Sequence, residues 1–315
     1  MYACTDATTD ANVWTNVGTG SGDVIPYSYA GSIAGYSMGG GNNHIDKYTF
    51  ASDGDAEASG ILLTSNNSYH GTQSVQSSTA GYTMGGYGAP YLSRIDKFLF
   101  ANSSGSASAG VGSITGTANG VAGCNDITHG YRVAGWTGGG TGFNIIERFP
   151  FATDGACDDV GDLGKSGHGC SSSSTETHGY ITGAQASPNT AVQKFAFASS
   201  GSSTDAPQTL INYRDYAGSA TNTTHGFVMG GNRTTVRIDV ESYAFASSAA
   251  MSDIGDLHHT VHSCSSSSSQ THGYCAGDAV DNSKRIHKIQ LSSSATGTSV
   301  GNLHTGVGTS TGCFQ

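Results

Sequence analysis

The sequence predicts an all-β fold built from small four-stranded sheets set round an axis, and three observations carry the prediction. First, one phrase returns: "THGYITGA" at 177–184, "THGFVMGG" at 224–231 and "THGYCAGD" at 271–278. Second, an aromatic or apolar anchor recurs at Phe50, Phe100, Phe151, Phe197, Phe245 and Leu291, at intervals of 50, 51, 46, 48 and 46 residues. Third, the chain is soft: it holds 47 glycines, and only 11% of its residues are charged, against about 25% in ordinary domains. A chain so rich in small polar residues folds only by recruiting backbone hydrogen bonding on a large scale, in short strands joined by tight turns.

Each repeat contains four segments of strand length. The first is a stretch of small residues, such as Ser171–Ser174 and Ser265–Ser269, which suits an inner strand crowded against an axis. In the second, Tyr36 and Met38, Tyr82 and Met84, or Phe227 and Met229 alternate and fall on one face of a period-two strand. In the third, Tyr48 and Phe50, Phe98 and Phe100, Phe149 and Phe151, Phe195 and Phe197, and Tyr243 and Phe245 do the same, while Ile45, Ile95 and Val192 fall on the opposite face. A sheet apolar on both faces lies between two like neighbours. The fourth, as in Val160-Gly161-Asp162-Leu163 and Ile254-Gly255-Asp256-Leu257, is the outer strand. Four strands at this period match a β-propeller blade.

Six blades are written out whole, at 24–63, 68–115, 119–163, 166–211, 213–257 and 260–303. Both ends carry half-blade phrases. "YACTD" at 2–6 matches "FASDG" at 50–54, "NVWTNVG" at 12–18 reads as an outer strand, and "HTGVGTSTGCFQ" at 304–315 reads as inner and second strands. The prediction is one domain spanning 1–315, a seven-bladed propeller whose last blade joins 304–315 to residues 1–20 and hides both sheet edges, with six blades as the alternative.

Composition excludes several functions. With 23 acidic and 13 basic side chains the net charge is -10, which argues against nucleic acid. No apolar run reaches the roughly 18 residues of a membrane span, so no membrane insertion is expected. The seven cysteines form no CxxC pair and read mostly as buried free thiols. Cys170 and Cys264 share a slot that Ala217 fills in the repeat between them, so the slot selects small volume. No Gly-x-Ser-x-Gly elbow leads into a helix, and no glycosidase-like carboxylate pair stands out. The expectation is a protein that is not an enzyme, with no catalytic residues, no metal and no cofactor.

His129, His178, His225 and His272 open the second strand in four successive blades, with Ala34 and Ala80 in that place elsewhere. In a sevenfold ring such copies stand roughly 9 Å apart, whereas zinc–nitrogen bonds are about 2 Å, so one metal cannot collect them. They are expected to be a repeated structural solution that hydrogen-bonds backbone or packs between blades. The acidic pairs Asp158-Asp159, and Asp253 with Asp256, read as solvated turn residues.

The glycine pairs Gly39-Gly40, Gly85-Gly86 and Gly230-Gly231, each closing a hydrophobic strand before a loop and an aromatic strand, resemble Kelch repeats over nearly the whole chain. A Kelch blade usually carries Trp in its outer strand, and this chain has only Trp14 and Trp136. The units "THGY", "IDKFxFAS" and "DVGDL" also resemble repeats in virion proteins of tailed bacteriophages, particularly those of marine cyanobacteria, and "MYACTDATTDANVWTNVG" resembles a hairpin that borders tail-fibre domains. That resemblance implies a virion protein made in the host cytoplasm, with other virion proteins as partners. Its abrupt start suggests part of a longer chain.

Loops between second and third strands vary most, and in a propeller they share one face. Tyr87, Tyr91, Trp136 and Phe143 could stack on sugar rings there, with Asn189 and Arg233 supplying directed hydrogen bonds. Two functions follow as expectations: a tail-fibre or spike propeller binding a host-surface glycan, or a purely architectural virion protein in a tail, baseplate or capsid decoration.

Overall fold

In a computed structural model of the chain, residues 2–7, 13–16, 30–69, 73–102, 105–106, 108–138, 142–183, 190–292, 295–305 and 308–315 are described. They form a six-bladed β-propeller, each blade a four-stranded antiparallel sheet. From the axis outward, blade 2 holds Val75–Gln76, Ala80–Met84, Arg94–Leu99 and Ser108–Ser113. Blade 3 holds Ala122–Asn125, His129–Val133, Phe143–Pro150 and Asp158–Gly167. Blade 4 holds Ser171–Ser174, His178–Thr182, Ala191–Ala196 and Thr204–Thr209. Blade 5 holds Gly218–Thr221, His225–Met229, Asp239–Ala244 and Ser252–Asp256. Blade 6 holds Ser265–Ser268, His272–Ala276, Arg285–Gln290 and Thr298–Asn302. Blade 1 is assembled from both ends of the ring, with Ser310–Phe314 as the inner strand beside Ala34–Gly39, Asn42–Thr49 and Glu57–Asn67.

The seven-blade expectation is therefore corrected to six. Residues 304–315 do not open a further blade: Ser310 pairs with Gly39 and Phe314 with Gly35, supplying blade 1 with an inner strand from the C-terminus. Val13–Asn16 is not an outer strand of the ring either, since it pairs with Tyr2–Asp6 as a separate hairpin. Side-chain packing leaves no gap for a seventh sheet. Each second-strand aromatic inserts against two third-strand side chains of the next blade: Tyr36 on Phe98 and Phe100, Tyr82 on Phe149 and Phe151, Tyr131 on Phe195 and Phe197, Tyr180 on Tyr243 and Phe245. Phe227 meets Ile289 and Leu291 in the same way. Tyr274 of blade 6 closes the series on Tyr48 and Phe50 of blade 1, with ring centroids 5.8 and 4.8 Å apart.

This packing explains the glycine before each aromatic. A Cβ on Gly35, Gly81, Gly130, Gly179 or Gly226 would sit 2.4–2.7 Å from the third-strand ring opposite it in the same blade, so only glycine lets that ring lie across the strand. The glycine pairs answer a different demand: Gly39-Gly40, Gly85-Gly86 and Gly230-Gly231 all have φ between 61° and 104°, a region closed to most side chains.

A closed ring of backbone hydrogen bonds fixes sixfold order at the mouth of the inner strands. Tyr216 N donates to Gly169 O, Gly169 N to Gly120 O, Gly120 N to Tyr69 O, Tyr69 N to Thr309 O, Thr309 N to Ser263 O, and Ser263 N to Tyr216 O, all at 2.7–3.0 Å. Below it the axis is lined by Gly123, Ser172, Ser219, Ser266 and Gly312. Gln73 of blade 2 reaches across, its Oε1 accepting from Ser219 Oγ of blade 5 at 2.7 Å and from Ser172 Oγ at 3.3 Å. The serine runs are thus axis-filling residues, as their small volume predicts. The slot shared by Cys170, Ala217 and Cys264 is buried in all three blades.

One repeated third-strand position, Asp46, Asp96, Glu147, Gln193, Glu241 and His287, is buried in every blade. In five blades it holds the last part of the preceding blade's outer strand or the chain just after it: Thr305 N donates to Asp46, Thr64 Oγ1 to Asp96, Thr115 N to Glu147, Lys165 N to Gln193 and Ile211 N to Glu241, all at 2.8–2.9 Å. The bonds from Thr305, Thr115 and Ile211 anchor connections that form one face of the ring.

Candidate functional site

Inner strands begin, and second strands end, on the same side of the propeller. The loops between second and third strands therefore share a face with the connections from each outer strand to the next inner strand. On that face a strip of rings crosses several blades. Tyr87 and Tyr91 lie 4.9 Å apart between centroids, Tyr91 and Trp136 6.2 Å, Trp136 and His168 4.7 Å with planes 18° apart, and His168 and Tyr216 6.1 Å. Tyr87 is 44% exposed, Tyr91, Trp136 and Tyr216 are half-buried, and His168 is buried beneath them. Among the described residues the Trp136 indole N–H has no acceptor.

Arg233 stands at the end of the same face, its guanidinium 4.2 Å from the centre of the Tyr213 ring. Asp215 lies nearby and is buried. Loss of solvent pushes its carboxyl up to about 6, opposed by the positive charge of Arg233. Tyr216 is also raised, first by burial and then by the charge of Asp215.

Of the residues expected from the sequence, Tyr87, Tyr91 and Trp136 are brought into one strip. Phe143 lies apart from them, at a cleft in blade 3 where the Arg132 guanidinium sits 5.4 Å from its ring centre. Arg233 is near the blade 5 end of the strip, and Asn189 lies outside the described residues. The sequence reading missed His168, Tyr213, Asp215 and Tyr216, because it weighed only the loops between second and third strands. The signal was present in "KSGHGC" (165–170) and "NYRDYAG" (212–218), which run into the small-residue slot and so must lie beside the axis.

The recurring histidines lie on the opposite face. His129, His178, His225 and His272 each place Nδ1 2.8–2.9 Å from the hydroxyl of the preceding threonine, and each ring lies 6.1–6.4 Å from that of the aromatic two residues on. Their own N–H groups donate to Asp126, Thr175, Asn222 and Ser269, three residues earlier, closing the turn between first and second strands. The histidine side chain is thus held by a neighbouring hydroxyl, where backbone or interblade contact was expected. Burial holds His178, His225 and His272 below the ordinary imidazole range. Among the described residues, no three His, Cys, Asp or Glu side chains gather where they could hold one metal ion. The acidic residues Asp158, Asp159, Asp253 and Asp256 are exposed, as expected, but they lie within outer strands and not in turns: Asp159 and Asp253 each accept from the N–H two residues on, at 3.1 and 2.9 Å, where the strand register shifts.

No protein-family model matches the chain, and no curated protein matches it. Among solved structures the fold has relatives. One, described as the structure of YjhT, superposes with a TM-score of 0.63 at 11% identity, over 78% of this chain and 87% of the other. At that identity the likeness concerns the fold alone: the protein is a six-bladed β-propeller that resembles YjhT, a Kelch-repeat protein.

Proposed function

We propose that this propeller is a recognition module without catalytic activity, binding a glycan across its loop face, and that it serves as the host-binding part of a bacteriophage tail fibre or spike. The observation that carries the reading is the strip Tyr87–Tyr91–Trp136–His168–Tyr216. Its exposed and half-buried members, Tyr87, Tyr91, Trp136 and Tyr216, offer ring surfaces at successive steps, with His168 packed beneath them and the exposed Arg233 at one end, which suits a chain of sugar rings. The virion setting rests on the likeness of the "THGY", "IDKFxFAS" and "DVGDL" units to phage repeat proteins. A glycan array with the isolated chain tests the first part. Binding should weaken about tenfold or more in Trp136→Ala, as expected for a central aromatic anchor. Binding that Trp136→Ala leaves unchanged would remove the strip from the account.

An architectural role is the second reading. Ile33, Leu99 and Ile127, 41–59% exposed, lie at strand ends or turns on the face opposite the strip and could meet another virion subunit. Co-sedimentation with virion subunits, abolished by Ile127→Glu, together with silence on the glycan array, would favour it.

A further inference from the structure

Two buried arginines differ in a way the fold does not require. Arg214 is saturated: its Nε donates to Asn212 O, its Nη1 to Gly230 O and Asp239 O, and its Nη2 to the carboxylates of Asp239 and Glu241. Arg132, 1% exposed, makes one bond, from Nη1 to Glu147 Oε1 at 3.0 Å. Its Nε and Nη2 have no acceptor among the described residues. Neither oxygen of Glu147 bonds them: Oε1 takes Nη1, and Oε2 accepts from Thr115 N at 2.8 Å. The equivalent positions are Ser37, Thr83, Ile181, Val228 and Cys275, so the strand itself does not call for arginine.

The orphaned pair is also a particular pair. Nε and Nη2 form one edge of the guanidinium, the fork that takes both oxygens of a carboxylate. Arg132 lines a cleft of about 480 Å³, together with Thr115, Thr117, Thr137, Phe143, Asn144, Asp159 and Asp162. Phe143 offers a ring wall, and the threonines and Asn144 offer neutral hydrogen-bonding groups. Asp159 and Asp162 stand exposed at the rim, where solvent screens their charge and their oxygens can accept from hydroxyls. A bare anion would gain little from such a rim, whereas a sugar acid satisfies both parts. Thr137, which lines the cleft, follows Trp136 of the strip in the chain.

We infer that this cleft is a subsite for the carboxylate of an acidic sugar residue, with the Nε–Nη2 edge of Arg132 as its receptor. The inference rests on the glycan-binding reading above and adds the class of sugar. Calorimetric titration of the full chain with glucuronate, glucose 6-sulfate and glucose tests it. Glucuronate should bind about tenfold or more tightly than glucose, and that advantage should vanish in Arg132→Met and in Thr117→Trp. Thr117 is exposed, so Thr117→Trp blocks the cleft without entering the core, and it decides the matter if Arg132→Met fails to fold. Equal binding of glucuronate and glucose, a preference for the sulfate, or glucuronate binding indifferent to both variants would overturn the inference. Neutral glycans bound through Trp136 with no gain from a carboxylate would sink this subsite alone, while no binding of any sugar would sink the glycan reading with it.

Discussion

If six equivalent interfaces close the ring, removing the aromatic at the junction of blades 6 and 1 should cost as much as removing its counterpart at an internal junction. Tyr274 is buried against Phe50 and Tyr48, and Tyr131 is buried against Phe197 and Phe195 in the same arrangement. Truncating a buried aromatic to alanine costs about 3–5 kcal/mol, the transfer of the ring plus the cavity it leaves. Unfolding carries roughly 2.1 cal/mol/K per residue, about 0.66 kcal/mol/K over this chain of 315 residues, so a loss of about 4 kcal/mol lowers Tm by roughly 6 °C. Tyr274→Ala and Tyr131→Ala should therefore shift a calorimetric melting curve by similar amounts. Blades 3 and 4 are neighbours along the chain, whereas blades 6 and 1 meet only through closure. A Tyr274→Ala shift below about 1 °C beside a full Tyr131→Ala shift would refute the closed six-bladed ring.

Two further predictions follow from buried polar groups. Asp215 is held at about 6 by burial, above its unfolded value near 3.8, so the folded protein binds more protons than the unfolded chain between these values and loses stability as pH rises through that window. The loss is at most about 3 kcal/mol, and urea melts at pH 4 and pH 7 should show it in the parent but not in Asp215→Asn; equal slopes in both would be a failure. Gln73→Ala deprives Ser219 of its 2.7 Å acceptor at the closed axis, while Ser172 keeps Gly123 O at 2.7 Å, and a cost of about 1–3 kcal/mol is expected in denaturant unfolding; no change would mean the axial bond is replaced by water.

A repeat encodes the contacts that recur in every blade and not those made once by closure of the ring. The second- and third-strand anchors were legible, because a ring such as Tyr131 or Phe195 alternates at period two and returns once per blade. The small-volume slot at Cys170, Ala217 and Cys264 was legible for the same reason. The repeated buried acceptor typified by Asp46 and Glu147 passed unremarked, since a carboxylate beside lysine or arginine reads as surface until its burial is seen. The candidate site was half visible. Tyr87, Tyr91 and Trp136 stood out as aromatics in variable loops, while His168 and Tyr216 sit in connections whose place beside the axis follows only from closure.

The sequence by itself determined the local unit: strand alternation, the glycine that clears each ring, and the period, all set by contacts within one blade or with the next. The number of blades was a tertiary decision. A half-blade phrase at each end allows six or seven on paper, because nearest-neighbour packing is nearly the same in both. The choice fell to six because Tyr274 reaches Tyr48 and Phe50, the backbone ring closes from Ser263 through Thr309 to Tyr69, and Ser310–Phe314 fills the one vacant inner strand. The orphaned edge of Arg132 likewise emerged only in three dimensions, since the fold and not the repeat engages Glu147 with Arg132 Nη1 and Thr115 N and leaves Nε and Nη2 without an acceptor among the described residues.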